Sequence, residues 1–165
     1  MRRALLIGDG DGRFLRHFLE AWPQASVDYV DVSAGMLAQA RASAGEDRVQ
    51  YYQLDVLRDA WPADDYDLVV THFVFDCFDA AGQLTLAQRA PRARWLVSEF
   101  RSSGVLGRVL IGVMYRFFGL ATGLRTRALA DHRVALAEAG YRLEKVADHR
   151  GGLLVSELWT PGPVK

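Results

Sequence analysis

The stretch "LLIGDGDGRFL", residues 5–15, decides how this chain folds. Three apolar residues, Leu5, Leu6 and Ile7, run into three glycines spaced two apart, Gly8, Gly10 and Gly12. An amphipathic segment follows: residues 12–21 place Phe14, Leu15, Phe18 and Leu19 on one helical face, with Arg13, Arg16 and Glu20 off it, and Pro23 just past the end. A buried strand turning sharply into a helix reads this way. Glycine supplies the turn because it takes positive φ freely and lets a ligand come close to the backbone. The dinucleotide fingerprint G-x-G-x-x-G does not fit. Counted from Gly8 its last glycine falls at Arg13, and counted from Gly10 it falls at Leu15. Asp9 and Asp11 also oppose a pyrophosphate by like charge and suit a cationic ligand.

Outward from this turn, short strands alternate with helices. Residues 4–7, 26–31, 49–54, 66–71 and 95–99 read as strands. Ser33 caps a helix carrying Met36, Leu37 and Ala40, and residues 81–90 form another. This alternation is the pattern of a mostly parallel sheet with helices on both faces. Residues 126–139 then read as a helix stopped by Gly140. "YRLEKVADHR" and "GLLVSELW" flank Gly151 and Gly152, which predicts a closing β-hairpin.

Composition narrows the function. The chain has 165 residues, half of them hydrophobic, with 20 basic and 20 acidic side chains and no net charge. Bulk electrostatics therefore offer nothing to nucleic acid. Cys77 is alone, which excludes a disulfide framework and a thiolate zinc cluster. His17, His132 and His149 lack metal-ligand spacing, so no metal is expected. The apolar run before Gly8 is too short for a secretory leader, and a cytoplasmic protein is expected. Residues 105–124, "VLGRVLIGVMYRFFGLATGL", have the length of a membrane span. Arg108 and Arg116 would be costly in lipid, so the segment reads as a buried or lid-like helix.

Ligands of open α/β sheets bind beyond the carboxyl ends of the strands. The residues there are Gly8 to Gly12 after the first strand, Asp31 after the second and Asp55 after the third. Thr71, His72 and Phe73 follow the fourth, with Phe75, Asp76 and Phe78 beyond, and Phe100 and Arg101 follow the fifth. Asp31 lies 19 residues past Gly12. That is near the roughly 20 expected of an acid accepting ribose hydroxyls. Asp55 is either a base-contacting acid or a turn cap.

The order Gly8-x-Gly10-x-Gly12, Asp31 with Ser33, Met36 and Leu37, Asp55, and "DLVVTHFVFD" resembles the class I S-adenosylmethionine-dependent methyltransferases over essentially the whole chain. The resemblance implies an α/β, Rossmann-like, doubly wound seven-stranded sheet. It is mostly parallel with an antiparallel C-terminal strand, in the order 3-2-1-4-5-7-6. It implies a single domain over residues 1–165, with a cofactor-binding half (1–101) and a helical lid and closing hairpin (102–165). Residues Gly8 to Gly12, with Asp9 and Asp11, would pass along the methionine part of S-adenosyl-L-methionine. Asp31 would hold the ribose, Val32 and Met36 would flank the adenine, and Asp55 with the Val56 amide would meet its amino group. Thr71 and His72 would lie beside the sulfonium. His72 and Asp76 are the candidate bases. Phe73, Phe75, Phe78 and Arg101 are the candidate acceptor residues for a small hydrophobic molecule. Two departures stand out. Leu6 occupies the place where the family often has an acid, and the first strand starts near Ala4, without the covering helices of most small-molecule members. Cover is then expected from residues 105–124 or from a second subunit, with contact to a membrane surface the weaker alternative. A non-catalytic cofactor- or partner-binding member, and a nicotinamide-dependent oxidoreductase, are the competing readings.

Overall fold

The computed structural model describes residues 1–100, 131–149 and 153–163. Its centre is β1 (Arg3–Ile7), whose residues Ala4 to Ile7 are buried because both faces of the strand are covered. β1 pairs in parallel with β2 (Ser26–Asp31) on one side and β4 (Leu68–His72) on the other. β3 (Val49–Gln53) lies outside β2, and β5 (Arg94–Phe100) outside β4, both parallel. β7 (Leu154–Pro161) runs antiparallel to β5, and β6 (Tyr141–His149) closes the edge antiparallel to β7. The order β3-β2-β1-β4-β5-β7-β6 is the expected one.

Helices cover the two faces in turn. α1 (Arg13–Ala21) buries Leu15, Phe18 and Leu19 on one face, beside Leu37 and Ala40 of α2 (Ala34–Ala44). α3 (Ala80–Gln88) and α4 (His132–Glu138) bury Leu86, Ala87 and Leu136 on the other, around Trp95 and Val97. Winding reverses between β1 and β4, so the crevice opens at the carboxyl ends of those two strands. On the α1 face a groove of about 1350 Å³ runs past Phe14, Phe18, Leu68, Leu96 and Leu158. Among the described residues no helix is long and apolar enough to cross a membrane.

Several boundaries differ from the sequence expectation, each for a local reason. The fourth strand starts at Leu68 instead of residue 66, because Tyr66 and Asp67 are used elsewhere. The Tyr66 hydroxyl donates to Asp28 at 2.7 Å, and the Asp67 carboxylate accepts from the amides of Arg2 and Arg3. α3 starts at Ala80 because Asp79 caps it through the Gly82 amide. Of the helix expected over residues 126–139, residues 126–130 lie outside the described residues; the described part begins at His132, where Asp131 accepts from the Arg133 amide. Residues 105–124 and Arg101 lie outside the described residues.

Two buried carboxylates tie distant elements together. Asp28 receives Arg3 through Nε at 3.0 Å and Nη2 at 2.7 Å, besides Tyr66, joining β2, β1 and the chain before β4. Glu157 of β7 is fully buried. It receives His132 Nε2 at 3.0 Å, Trp159 Nε1 at 3.1 Å and both Nε (2.7 Å) and Nη2 of Arg133. These bonds hold its carboxyl down at about 2 against the desolvation of burial.

Candidate functional site

The glycine turn has the predicted geometry at the carboxyl end of β1. Gly8, Gly10 and Gly12 take φ of 62°, 74° and 77°. The Gly8 amide donates to the Val30 carbonyl, and the Tyr29 hydroxyl donates to the Gly10 carbonyl, so the turn is fastened to β2. The three glycines serve different ends. A Cβ on Gly8 would stand 2.7 Å from Val74 Cγ2, and one on Gly12 would stand 2.8 Å from Ala40 Cα. A Cβ on Gly10 would meet nothing within 4 Å. Gly8 and Gly12 thus permit packing, and Gly10 leaves open space over the turn.

The two aspartates of the turn do not act together. Asp11 is bound to Arg13, whose Nε lies 2.8 Å from one oxygen and 3.1 Å from the other. That hydrogen bond holds the Asp11 carboxyl below its usual range. Asp9 points beneath the turn. Its Oδ2 accepts from the Leu15 amide at 3.1 Å, supplying the cap that Gly12 lacks at the start of α1. Its Oδ1 faces His72 Nε2 at 3.9 Å. Burial pushes the Asp9 carboxyl up to about 7 and the His72 imidazole down to about 4. His72 is also packed edge-on against Phe14, with centroids 4.4 Å apart. It is therefore neutral near pH 7 but a feeble base, which weighs against the role expected of it.

Asp9 has a testable signature. The folded state holds its proton up to about pH 7, whereas the unfolded chain releases it near the ordinary value of 3.8. Stability through this group therefore falls as the pH rises from about 4 to 7. Asp9→Asn keeps an oxygen for the Leu15 amide and removes the charge. Its melting temperature is expected above that of the native chain at about pH 8, with the gap narrowing by about pH 5, in parallel thermal melts.

At the end of β2, Asp31 is half-buried and accepts from the Ser33 amide at 2.7 Å. Val32 and Met36, 65% and 39% exposed, stand beside it, and Ser33 caps α2 as expected. Asp55 is a turn residue: it accepts from the Leu57 amide at 2.9 Å and lies 3.5 Å from Arg58 Nε. Val56 packs into the core, and its carbonyl accepts from Trp61 and Arg89. Thr71 is fully buried.

The three phenylalanines after β4 separate. Phe75 is fully buried edge-on against Trp95 and so lines no acceptor wall, while half-buried Phe78 packs against the same core. Buried apolar rings here fill the space under α3. Phe73 is 39% exposed and stacks on Phe100, with centroids 4.4 Å and planes 29° apart. Its φ of 60° is left-handed, at a cost of about 1–3 kcal/mol for such a residue. Asp76 is half-buried on the 3₁₀ turn Phe75–Cys77. Glu99 escaped the sequence reading. It is buried, its Oε1 accepts from the Phe75 amide at 3.0 Å, and burial raises its carboxyl well above the ordinary value. Period-two alternation with Trp95 and Val97 was the available signal.

An open glycine turn at a topological switch point, with an acid at the end of the neighbouring strand, is the arrangement at which open α/β sheets bind their ligands. The sequence profile described as a methyltransferase domain matches residues 4–94. The chain belongs to that methyltransferase-domain family. It is 30% identical over 108 residues to a malonyl-[acyl-carrier protein] O-methyltransferase of Acetivibrio thermocellus, covering 66% of this chain and 35% of that protein. It is 37% identical over 91 residues to the protein of the same description from Halalkalibacterium halodurans, covering 52% of this chain and 33% of that protein. Among solved structures, the mitomycin 7-O-methyltransferase MmcR superposes with a TM-score of 0.76 at 17% identity, covering 98% of this chain and 49% of that one. The chain thus spans about a third of the length of these curated relatives.

Proposed function

We propose that this chain binds S-adenosyl-L-methionine at the glycine turn and transfers its methyl group to a small-molecule acceptor. The observation that carries the reading is the open space over Gly10, between two glycines closed by packing and one strand away from Asp31. The residues present fit the cofactor. The Gly10 backbone can be approached closely, Asp31 offers carboxylate oxygens for ribose hydroxyls, and Val32 and Met36 offer exposed apolar surface for a flat base. The cofactor, when bound, supplies a methyl group made electrophilic by its sulfonium.

What the chain contributes is alignment. A rigid turn pinned by Val30, Tyr29 and Asp9 holds one reactant, and the strained segment after β4 holds the other. His72 contributes little proton abstraction, being depressed to about 4. An acceptor whose attacking oxygen ionises readily suits the site. Asp9 serves the start of α1 by accepting from the Leu15 amide, and Asp11 is paired with Arg13.

Asp31→Ala tests the assignment. Two hydroxyl-to-carboxylate bonds, each worth about 1.5–3 kcal/mol, are removed. The affinity for S-adenosylhomocysteine is expected to fall at least about a hundredfold in equilibrium dialysis. Unchanged affinity would place the ribose elsewhere.

A further inference from the structure

We propose that the stacked rings of Phe73 and Phe100 form the surface on which a planar aromatic acceptor docks. The proposal rests on the methyl-transfer reading and names its acceptor class. Phe73 is the one non-glycine residue with positive φ among the described residues, and a bulky side chain there is a genuine outlier. The surrounding structure holds it in place from three sides. Its amide donates to the Ser98 carbonyl at 2.8 Å. The next residue, Val74, is buried and lies where a side chain on Gly8 would stand. One residue further, the Phe75 amide is taken by buried Glu99. This arrangement keeps an aromatic ring 39% exposed within a segment whose other rings, Phe75 and Phe78, are turned inward.

Its position connects it to the reaction. Phe73 follows His72, which faces Asp9 of the glycine turn, and Val74 touches that turn directly. Phe100 ends the neighbouring strand, so the pair lies at the carboxyl ends of β4 and β5, next to the switch point. Two rings 29° from parallel present a flat face, and offset stacking of a third ring extends the arrangement. The proton chemistry agrees. With His72 a feeble base, an aromatic hydroxyl, which ionises near pH 10 on its own, is a better acceptor than an alkyl alcohol.

The test is calorimetric titration of the full chain, with S-adenosylhomocysteine present, using 2-naphthol and its saturated counterpart decahydro-2-naphthol. The native chain is expected to prefer 2-naphthol about tenfold. Phe73→Leu and Phe100→Leu, which keep apolar bulk and lose the flat face, are expected to reduce the preference to within about twofold. Their affinity for S-adenosylhomocysteine should be unchanged. Should Phe73→Leu fold poorly, Phe73→Gly, which is at ease at φ 60°, gives the same reading. Equal affinity of the native chain for the two alcohols, absent 2-naphthol binding, or a preference that survives the substitutions would overturn the proposal. A separate titration of S-adenosylhomocysteine divides the two claims. Heat there without an aromatic preference removes only the docking surface. An aromatic preference without that heat removes the methyl-transfer reading and, with it, the role of the two rings as an acceptor surface.

Discussion

Gly12→Ala is expected to cost about 3 kcal/mol of stability, while Gly10→Ala costs about 1 kcal/mol and abolishes cofactor binding. The two residues have nearly the same φ, 77° and 74°, so the left-handed penalty of about 1–2 kcal/mol is common to both. They differ in what surrounds them. A methyl on Gly12 would stand 2.8 Å from Ala40 Cα and 3.2 Å from its carbonyl oxygen, and backbone inside α2 cannot step aside as a side-chain tip can. Overpacking of that kind adds about 1–3 kcal/mol. A methyl on Gly10 enters empty space, so the fold tolerates it, but that space is where the ligand must approach. Urea denaturation and S-adenosylhomocysteine titration of the two variants side by side separate the effects. Equal destabilisation, or full binding by Gly10→Ala, would contradict the division of roles.

Glu157→Ala is expected to destabilise the chain by about 3 kcal/mol, because the charge-assisted hydrogen bonds to a fully buried carboxylate, each worth about 1.5–3 kcal/mol, are lost and its buried donors are left unpaired. Arg133, His132 and Trp159 all donate to this carboxylate, and the substitution leaves His132 and Trp159 buried without it. The pH dependence carries a matching signature. The folded carboxyl titrates at about 2 against an ordinary 4.5, so the unfolded chain binds the extra proton between those values. The stabilisation is complete above about pH 4.5 and is lost as the pH falls toward 2, with a total of about 3 kcal/mol. Glu157→Gln should lack that slope. Urea midpoints between about pH 3 and pH 7 measure it.

The sheet was legible because the signals are local and periodic. Short apolar runs, one glycine turn, the Ser33 cap and the terminal hairpin point to a mostly parallel sheet closed by an antiparallel hairpin, while the strand order comes from the family resemblance. The site was legible to the level of which loops converge, and less so at the level of single side chains. Asp9 and Asp11 look equivalent in "GDGDG", yet successive left-handed residues send one under the turn and the other outward to Arg13. Phe73, Phe75 and Phe78 look like one aromatic cluster, but a positive φ at the first and a 3₁₀ turn at the second place them in different surroundings. The Asp131 cap of α4 is a single-residue signal that apolar spacing does not mark. His132 looks like a stray histidine in the sequence because its partner Glu157 is 25 residues away and meets it only in the folded chain. Glu99 was accessible from alternation alone and was passed over as an ordinary strand residue.

Calorimetric titration of the native chain with S-adenosyl-L-methionine, S-adenosylhomocysteine and NADH tests the central claim most directly. Saturable binding of the first two, none of the third, and loss of both signals in Gly10→Ala is the predicted result. Absence of heat with S-adenosyl-L-methionine and S-adenosylhomocysteine, or binding of NADH instead, would contradict it.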